Sequence, residues 1–279
     1  MSIRRWLGLS GSFAFNVAMV VFSVACIFPI VWIVYSSLKT KDEFMLDAVK
    51  LPQQWAFRNY YKAFVEGEMS QYFVSSALNA AVTVTVVVLL AFCAAYALAR
   101  FRFRFRNAIY SFLIAGMLIP VYGLLVPLFL QFKQFGLYDK FYTLILPYIA
   151  IRLPLPIFLL ESFIRTVPAE LDEAAHIDGA SKFYTMTRII LPLCKPAIAT
   201  VVILAFLDTW NEFPFALVLV TNEAFKTIPV GLTNFYGQYT SDYTTLMAAM
   251  VLSIVPVLAV YLAFYKNIMK GMTAGAVKG

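Results

Sequence analysis

"RTVPAELDEAAHIDGASKFYTMTRIILPLCKP" occupies Arg165 to Pro196. Within it stand four acids (Glu170, Asp172, Glu173, Asp178) and four bases (Arg165, Lys182, Arg188, Lys195). The 279-residue chain around it is 62% hydrophobic and only 13% charged, roughly half the ~25% of soluble domains. Its mean hydropathy is +0.79. Surface this apolar requires a bilayer as solvent, so the polar stretch is an insert between membrane segments. Its residues predict a helical hairpin. Pro168 fits a first helical turn, where a missing N–H costs nothing. Glu170, Asp172 and Glu173 follow where negative charge suits the helix dipole. Ala174 and Ala175 favour helix and keep one face slim. Gly179 can take the left-handed conformation that ends a helix. Ser181 can cap a second helix, which Pro192 stops. The expected order is helix over 168–178, sharp turn, helix. A helix this short is marginal alone in water, and a slim alanine face suits a groove in another protein.

Outward from the insert, four runs contain no Asp, Glu, Lys or Arg: Trp6 to Leu38, Met69 to Ala99, Asn107 to Phe132 and Tyr243 to Tyr265. Each exceeds the ~20 residues a helix needs to cross a bilayer. Two further apolar segments, 141–163 and 197–220, carry a few charges, which makes six spans in an all-α membrane protein. The first run is too long for a signal peptide and lacks a small-residue cleavage site, so it reads as an uncleaved helix. Three divisions follow: 1–70, the first helix and an extracytoplasmic segment; 71–265, a transmembrane core holding the 165–196 loop; and 266–279, a tail. Thirteen of the Lys and Arg residues fall in the segments sharing a side with both termini, against eight on the other side. The excess of positive charge puts the termini and the insert in the cytoplasm. "ARFRFRFRN" (Ala99 to Asn107) is the sharpest local marker, since alternating Arg and Phe suits a membrane face. A net charge of +7 thus reads as orientation, not as a nucleic-acid patch. Cys26, Cys93 and Cys194 lack metal spacing, and the single histidine, His176, excludes a His-based metal cluster.

Glu173-Ala174-Ala175, three residues, Gly179, nine residues, Ile189, one residue, then Leu191-Pro192 resembles the EAA loop of ABC-importer membrane subunits. "TWNEFPFALVL", "NYYKAF", "YALARFRFRFRN" and the tail "MTAGAVKG" resemble the carbohydrate-uptake, maltose-type branch. The likeness covers nearly the whole chain and fits the shorter of two partner permeases. It implies a type I ABC importer permease fold in a bacterial inner membrane, and a second permease subunit as partner, forming a heterodimer. It also implies two separate ATP-binding cassette subunits, which carry ATP and Mg, and an extracytoplasmic solute-binding protein that delivers a sugar. Glu173, Ala174, Ala175, Asp178, Gly179, Leu191 and Pro192 would then couple to the ATPase, and Thr273, Gly275 and Lys278 of the tail would contact it. The chain itself has no G-x-x-x-x-G-K-[S/T] phosphate cradle, so it is expected to be no enzyme and to hold no cofactor or metal.

Asp208 and Glu212 are four apart, hence on one face of the fifth helix. A charge at mid-bilayer costs at least ~2.5 kcal/mol, so both should face a wet cavity or a partner. With Trp210 and Asn211 between them, the segment offers rings and hydrogen-bonding groups suited to a sugar, the alternative for Trp210 being an ordinary lipid- or helix-facing aromatic. Two readings stay open: a translocation path, or a structural ion pair, with Arg152 beside Pro154 and Pro156 as the partner of Asp208. An acid at Asp208 departs from the resembled family, where that place is often small. Gly116 to Pro127, rich in Gly and Pro, could flank the same cavity. The competing classes are an ion-coupled secondary transporter using Asp208 and Glu212, which leaves the EAA spacing unexplained, and a membrane-embedded enzyme, for which no nucleophile–base pair is in sight.

Overall fold

The computed structural model describes residues 3–237 and 242–276, with side chains over 15–235 and 242–265. Every regular element among these residues is helical. Three unbroken stretches are long and apolar enough to cross a membrane: Phe15–Ser36, Met69–Arg100 and Tyr243–Tyr265. Three more are helix pairs bent at a short break. Arg106–Leu118 and Val121–Gln134 meet at 89°, Ile145–Arg152 and Pro154–Thr166 at 42°, and Lys182–Leu193 and Lys195–Trp210 at 78°. The chain divides into two compact units, 1–69 with 232–254, and 70–231 with 255–279.

In the first unit, the opening helix Ile3–Ser36 exposes every side chain from Phe15 to Val31, apolar surface that lipid or another chain must cover. It ends in a polar knot. Lys39 is buried and donates to the carbonyls of Asp47 (3.1 Å) and Ala48 (2.9 Å). Trp32 Nε1 donates to the same Ala48 oxygen, and Asn59 Nδ2 bridges the Ser37 and Lys39 carbonyls, each at 2.8 Å. A buried turn must satisfy its own backbone, and these side chains do so. Burial pushes the Lys39 ammonium pKa down, against the opposing pull of Asp47 and Glu43. Asp242 caps the helix Tyr243–Ala276 through the Thr245 amide (3.1 Å) and pairs with Lys62 (3.4 Å).

In the second unit, the lower half of Met69–Arg100 packs through Ala91, Ala95 and Leu98 onto Ile157, Leu160 and Ile164 of the fourth segment and Ile190 of the hairpin. Small residues on the second span let the backbones approach. A separate cluster joins Phe132, Leu144 and Tyr148 to Phe215 and Leu219. Gly231 is required where it stands, because a Cβ there would fall inside the Tyr72 ring.

The third segment breaks where Gly116 and Pro120 allow it. Helix Arg106–Ala115 tightens into a 3-10 turn at Gly116–Leu118, Pro120 is extended, and helix resumes through Val121–Leu124 into Leu125–Gln134. Pro120 supplies no N–H and restricts Ile119. The fifth segment also departs from one continuous helix. Lys195–Trp210 stops with Asn211 as its C-cap, and Pro214–Leu219 starts afresh.

Candidate functional site

The insert folds as a helix, turn and helix. Its first helix is Glu170–Ile177, with Ala169 as N-cap, so Pro168 precedes the helix where the sequence placed it in the first turn. Gly179 sits at φ +80° with nothing within 4 Å of a would-be Cβ. The Ala180 amide closes onto the Ala175 carbonyl at 2.9 Å. Ser181 Oγ accepts the Tyr184 amide at 3.2 Å and caps the second helix.

Pro192 does not stop that helix. The wide π turn Thr185–Ile190 precedes it, and Pro192 stands in the first turn of the next helical piece, Leu191–Leu193, where its missing donor costs nothing. The break comes at Cys194, before Lys195–Trp210.

Asp172 serves the fold more than the helix dipole. Tyr96 donates to its Oδ1 at 2.8 Å, and Arg100 Nε lies 2.9 Å from its Oδ2 as a charge contact with no aligned hydrogen bond. Arg100 also donates to the Val167 carbonyl (2.8 Å). The end of the second span thereby holds the start of the hairpin. Ala175 is buried against the second hairpin helix, whereas Glu173, Ala174, His176 and Asp178 are exposed. Ile177 is 85% exposed and Phe183 71%, with Tyr184 at 54% beside them. These apolar groups stand open beside the rigid polar tie of Asp172.

Sequence reading passed over Glu161. It is buried in the fourth segment, pairs with Arg165 one turn on, and lies 3.9 Å from Arg106. The i,i+4 spacing of Glu161 and Arg165 in an apolar run was the available signal. Arg100 read only as an orientation charge, since its partner Asp172 is remote in sequence.

Deeper in the same unit lies a cavity of about 560 Å³. The bend of the third segment supplies Gly116, Met117, Val121 and Tyr122; the fourth supplies Arg152, Leu155, Pro156 and Leu159; the fifth supplies Val201, Leu204, Asp208, Asn211 and Glu212. Apolar and polar groups from each segment therefore share the lining. Arg152 lies over the Tyr148 ring (4.7 Å) and donates to the main-chain carbonyl of Asp208, while its Nε has no partner. No ion pair joins the Arg152 and Asp208 side chains among the described residues, so of the two readings left open the carboxylate pairing gives way to a backbone contact. The Asp208 side chain is exposed on the cavity wall.

Two expectations for this region are corrected. Glu212 lies beyond the helix that carries Asp208, so their four-residue spacing does not set a common face. Its carboxylate instead accepts the Phe215 amide (2.8 Å), the Ala216 amide (3.1 Å) and the Tyr148 hydroxyl, capping the restarted helix. Trp210 does not line the cavity. It is buried, edge-on to Phe73 (5.6 Å) and stacked on Phe206 (5.3 Å). In the tail, Thr273 and Gly275 fall within the helix Tyr243–Ala276, with their side chains outside the described set; Lys278 lies outside the described residues.

Residues 87–274 match the family described as "Binding-protein-dependent transport system inner membrane component". The chain is 35% identical to the diacetylchitobiose uptake system permease protein NgcG of Streptomyces coelicolor, over 99% of this chain and 91% of that one. It is 33% identical to the trehalose/maltose transport system permease protein MalG of Thermococcus litoralis, over 94% and 95%. Among solved structures, a chain of a bacterial ABC transporter that imports the acidic polysaccharide alginate superposes with a TM-score of 0.82 at 22% identity, covering 96% of this chain and 98% of that one. That likeness carries the fold. A match over most of the chain, with relatives this similar over nearly their full lengths, places the sequence without ambiguity: the chain belongs to the binding-protein-dependent transport system inner membrane component family of multi-pass ABC-importer permeases.

Proposed function

We propose that this chain is the membrane subunit of an ATP-driven sugar importer, that the hairpin Glu170 to Leu193 docks on a separate ATPase, and that the 560 Å³ cavity is part of the sugar's route. The observation that carries the reading is the contrast within one hairpin: Asp172 is tied to Tyr96 and Arg100, while Ile177 and Phe183 stand open to solvent. A rigid stem with an apolar tip transmits a push. Closure of two ATPase subunits on ATP would move the hairpin as a near-rigid body, and the bent membrane segments would reorient around the cavity. Sugar permeases among the relatives, and an alginate importer with the same fold, support a sugar as cargo. Hydroxyl groups would meet Asp208, Asn211 and Arg152, and C–H faces would meet Met117, Leu155 and Leu204. A second permease chain would cover the exposed first helix, the binding protein would approach from outside, and both termini would lie in the cytoplasm. ATP and Mg would reside on the ATPase.

The test is Ile177→Asp in a complex reconstituted with its permease, ATPase and binding-protein partners. Removing a central apolar anchor weakens association by about 2 kcal/mol, roughly thirtyfold. Loaded binding protein should then no longer stimulate ATP hydrolysis, with the thermal melt unchanged. Uptake that continues without the ATPase would overturn the reading and shift the mechanism to ion coupling through Asp208.

A further inference from the structure

Five residues, Phe101 to Phe105, join the second span, ending at Arg100, to the third segment, beginning at Arg106. Both neighbours are membrane segments, so this connection sits at a membrane face whichever way the chain is oriented. The structure divides its alternating arginines into two kinds. The outer pair is spent inside the protein. Arg100 holds Asp172 and the Val167 carbonyl; Arg106 donates through Nε to the Leu98 carbonyl at 2.6 Å and lies near buried Glu161. The inner pair, Arg102 and Arg104, is exposed and forms no ion pair among the described residues. The phenylalanines divide in the same way. Phe101 is half-buried, edge-on to Tyr96 (5.6 Å) and covered by the Lys182 ammonium (4.8 Å). Phe103 and Phe105 are exposed, and the Arg104 guanidinium rests over the Phe105 ring at 5.5 Å.

We propose that Arg102 and Arg104, with Phe103 and Phe105, bind the headgroup of an anionic phospholipid. A guanidinium is built for two-point hydrogen bonding to a phosphate, and aromatic rings settle at headgroup level. Free phosphate in solution would use the arginines and leave two exposed rings unexplained; a lipid uses both. The loop's other anchors, Arg100 and Phe101, grip the hairpin through Asp172 and Lys182. A lipid held by the next residues therefore fixes the loop against the hairpin stem, and coupling to the ATPase becomes sensitive to membrane charge.

The experiment uses the assembled transporter in phosphatidylcholine nanodiscs, with and without phosphatidylglycerol. Lipid preference is read from spin-labelled phosphatidylglycerol against spin-labelled phosphatidylcholine at low salt. Each basic residue near an anionic surface contributes about fivefold in affinity, so R102Q/R104Q should lower the preference well beyond a single such step. R102K/R104K should keep most of it, and F103A/F105A should lose a smaller part. Phosphatidylglycerol should also raise stimulated ATP hydrolysis in the wild type and not in R102Q/R104Q. Unchanged preference in R102Q/R104Q would overturn the proposal. Displacement by millimolar inorganic phosphate would assign the site to a soluble anion, and loss of the ATPase from the R102Q/R104Q complex in detergent would assign it to a protein contact; either result overturns the lipid assignment. Because these residues are exposed, the melt of each variant should match wild type. The stimulation assay with Ile177→Asp reports separately on the coupling reading.

Discussion

The hairpin and the cavity use polar groups in opposite ways. In the hairpin the polar stem is engaged: Asp172 by Tyr96 and Arg100, Ser181 by the Tyr184 amide. Beside exposed Glu173, His176 and Asp178 it leaves large apolar groups open, namely Ile177, Phe183 and Tyr184. In the cavity, apolar and polar residues share the lining, and the Asp208 side chain stays open. The difference follows from what each region has to hold. A protein partner that stays bound rewards apolar contact on a rigid mount. A hydroxylated cargo that must bind and leave needs hydrogen-bonding groups not already committed to the fold.

The variant that should break this contrast most strongly is Gly179→Val. At φ +80°, a β-branched residue is a conformational outlier, so the turn must re-form and Ile177 and Phe183 lose their relative placement. ATP-driven uptake should fall by roughly thirtyfold, equivalent to a lost ~2 kcal/mol anchor. Open space around the position should keep the melt of the membrane core close to wild type. Next comes Asp172→Asn. It removes a half-buried ion pair worth about 1 kcal/mol, but it sits in the stem that transmits motion. Hydrolysis stimulated by loaded binding protein should drop about fivefold while basal hydrolysis persists. Stimulation equal to wild type would show that the hairpin needs no tie to the second span.

On the cavity side, two carboxylates should separate. Glu212→Ala leaves two amides and the Tyr148 hydroxyl without their acceptor and should cost about 2–3 kcal/mol, seen as a lowered melting temperature. Asp208→Asn should leave the melt in place and weaken cargo capture about fivefold, as expected for one hydrogen bond of ~1 kcal/mol. Equal destabilisation by both would make the cavity wall structural throughout.

How much of this was legible in the sequence depends on how local each signal is. The hairpin was read from Gly179, Ser181 and the spacing to Leu191-Pro192, because turn and cap chemistry acts over a few residues. Charge-free runs gave four of the six membrane segments, and the Gly- and Pro-rich stretch Gly116 to Pro127 holds the bend of the third. Pro192 was misread because a preceding π turn lets a proline open a new helical piece. Trp210 was wrongly placed on the cavity wall: it stands two residues from Asp208, about 200° around a helix, so it turns away from the wall that Asp208 faces. Glu212 lines the cavity as read, but its capping role was missed because it depends on the helix ending at Trp210, which no residue before Pro214 announces. The ties of Arg100 to Asp172 and of Arg106 to Glu161 join residues far apart in sequence, beyond the reach of periodicity.

The smallest effect tests whether a clamp outside the membrane segments is independent of both regions. Asp139, at φ +57°, accepts the Thr221 amide (2.9 Å), the Thr221 hydroxyl (3.0 Å) and the Asn222 amide (2.8 Å). Burial by itself would raise its carboxyl pKa; the two amides, the hydroxyl and nearby Lys140 outweigh that and hold it below the ordinary carboxylate value. A carboxylate with a depressed folded pKa contributes stability that is complete above its unfolded pKa of about 3.9. That contribution fades as the pH drops through the folded value. Melting temperature followed from neutral pH to below pH ~4 should therefore show an acid limb that Asp139→Asn flattens, with ATP-stimulated uptake at neutral pH unchanged. A variant that keeps the full acid limb would place it in other carboxylates, such as Asp242. One that loses uptake at neutral pH would mean that the turn at Asp139 takes part in transport, and the division of labour between hairpin and cavity would need a third member.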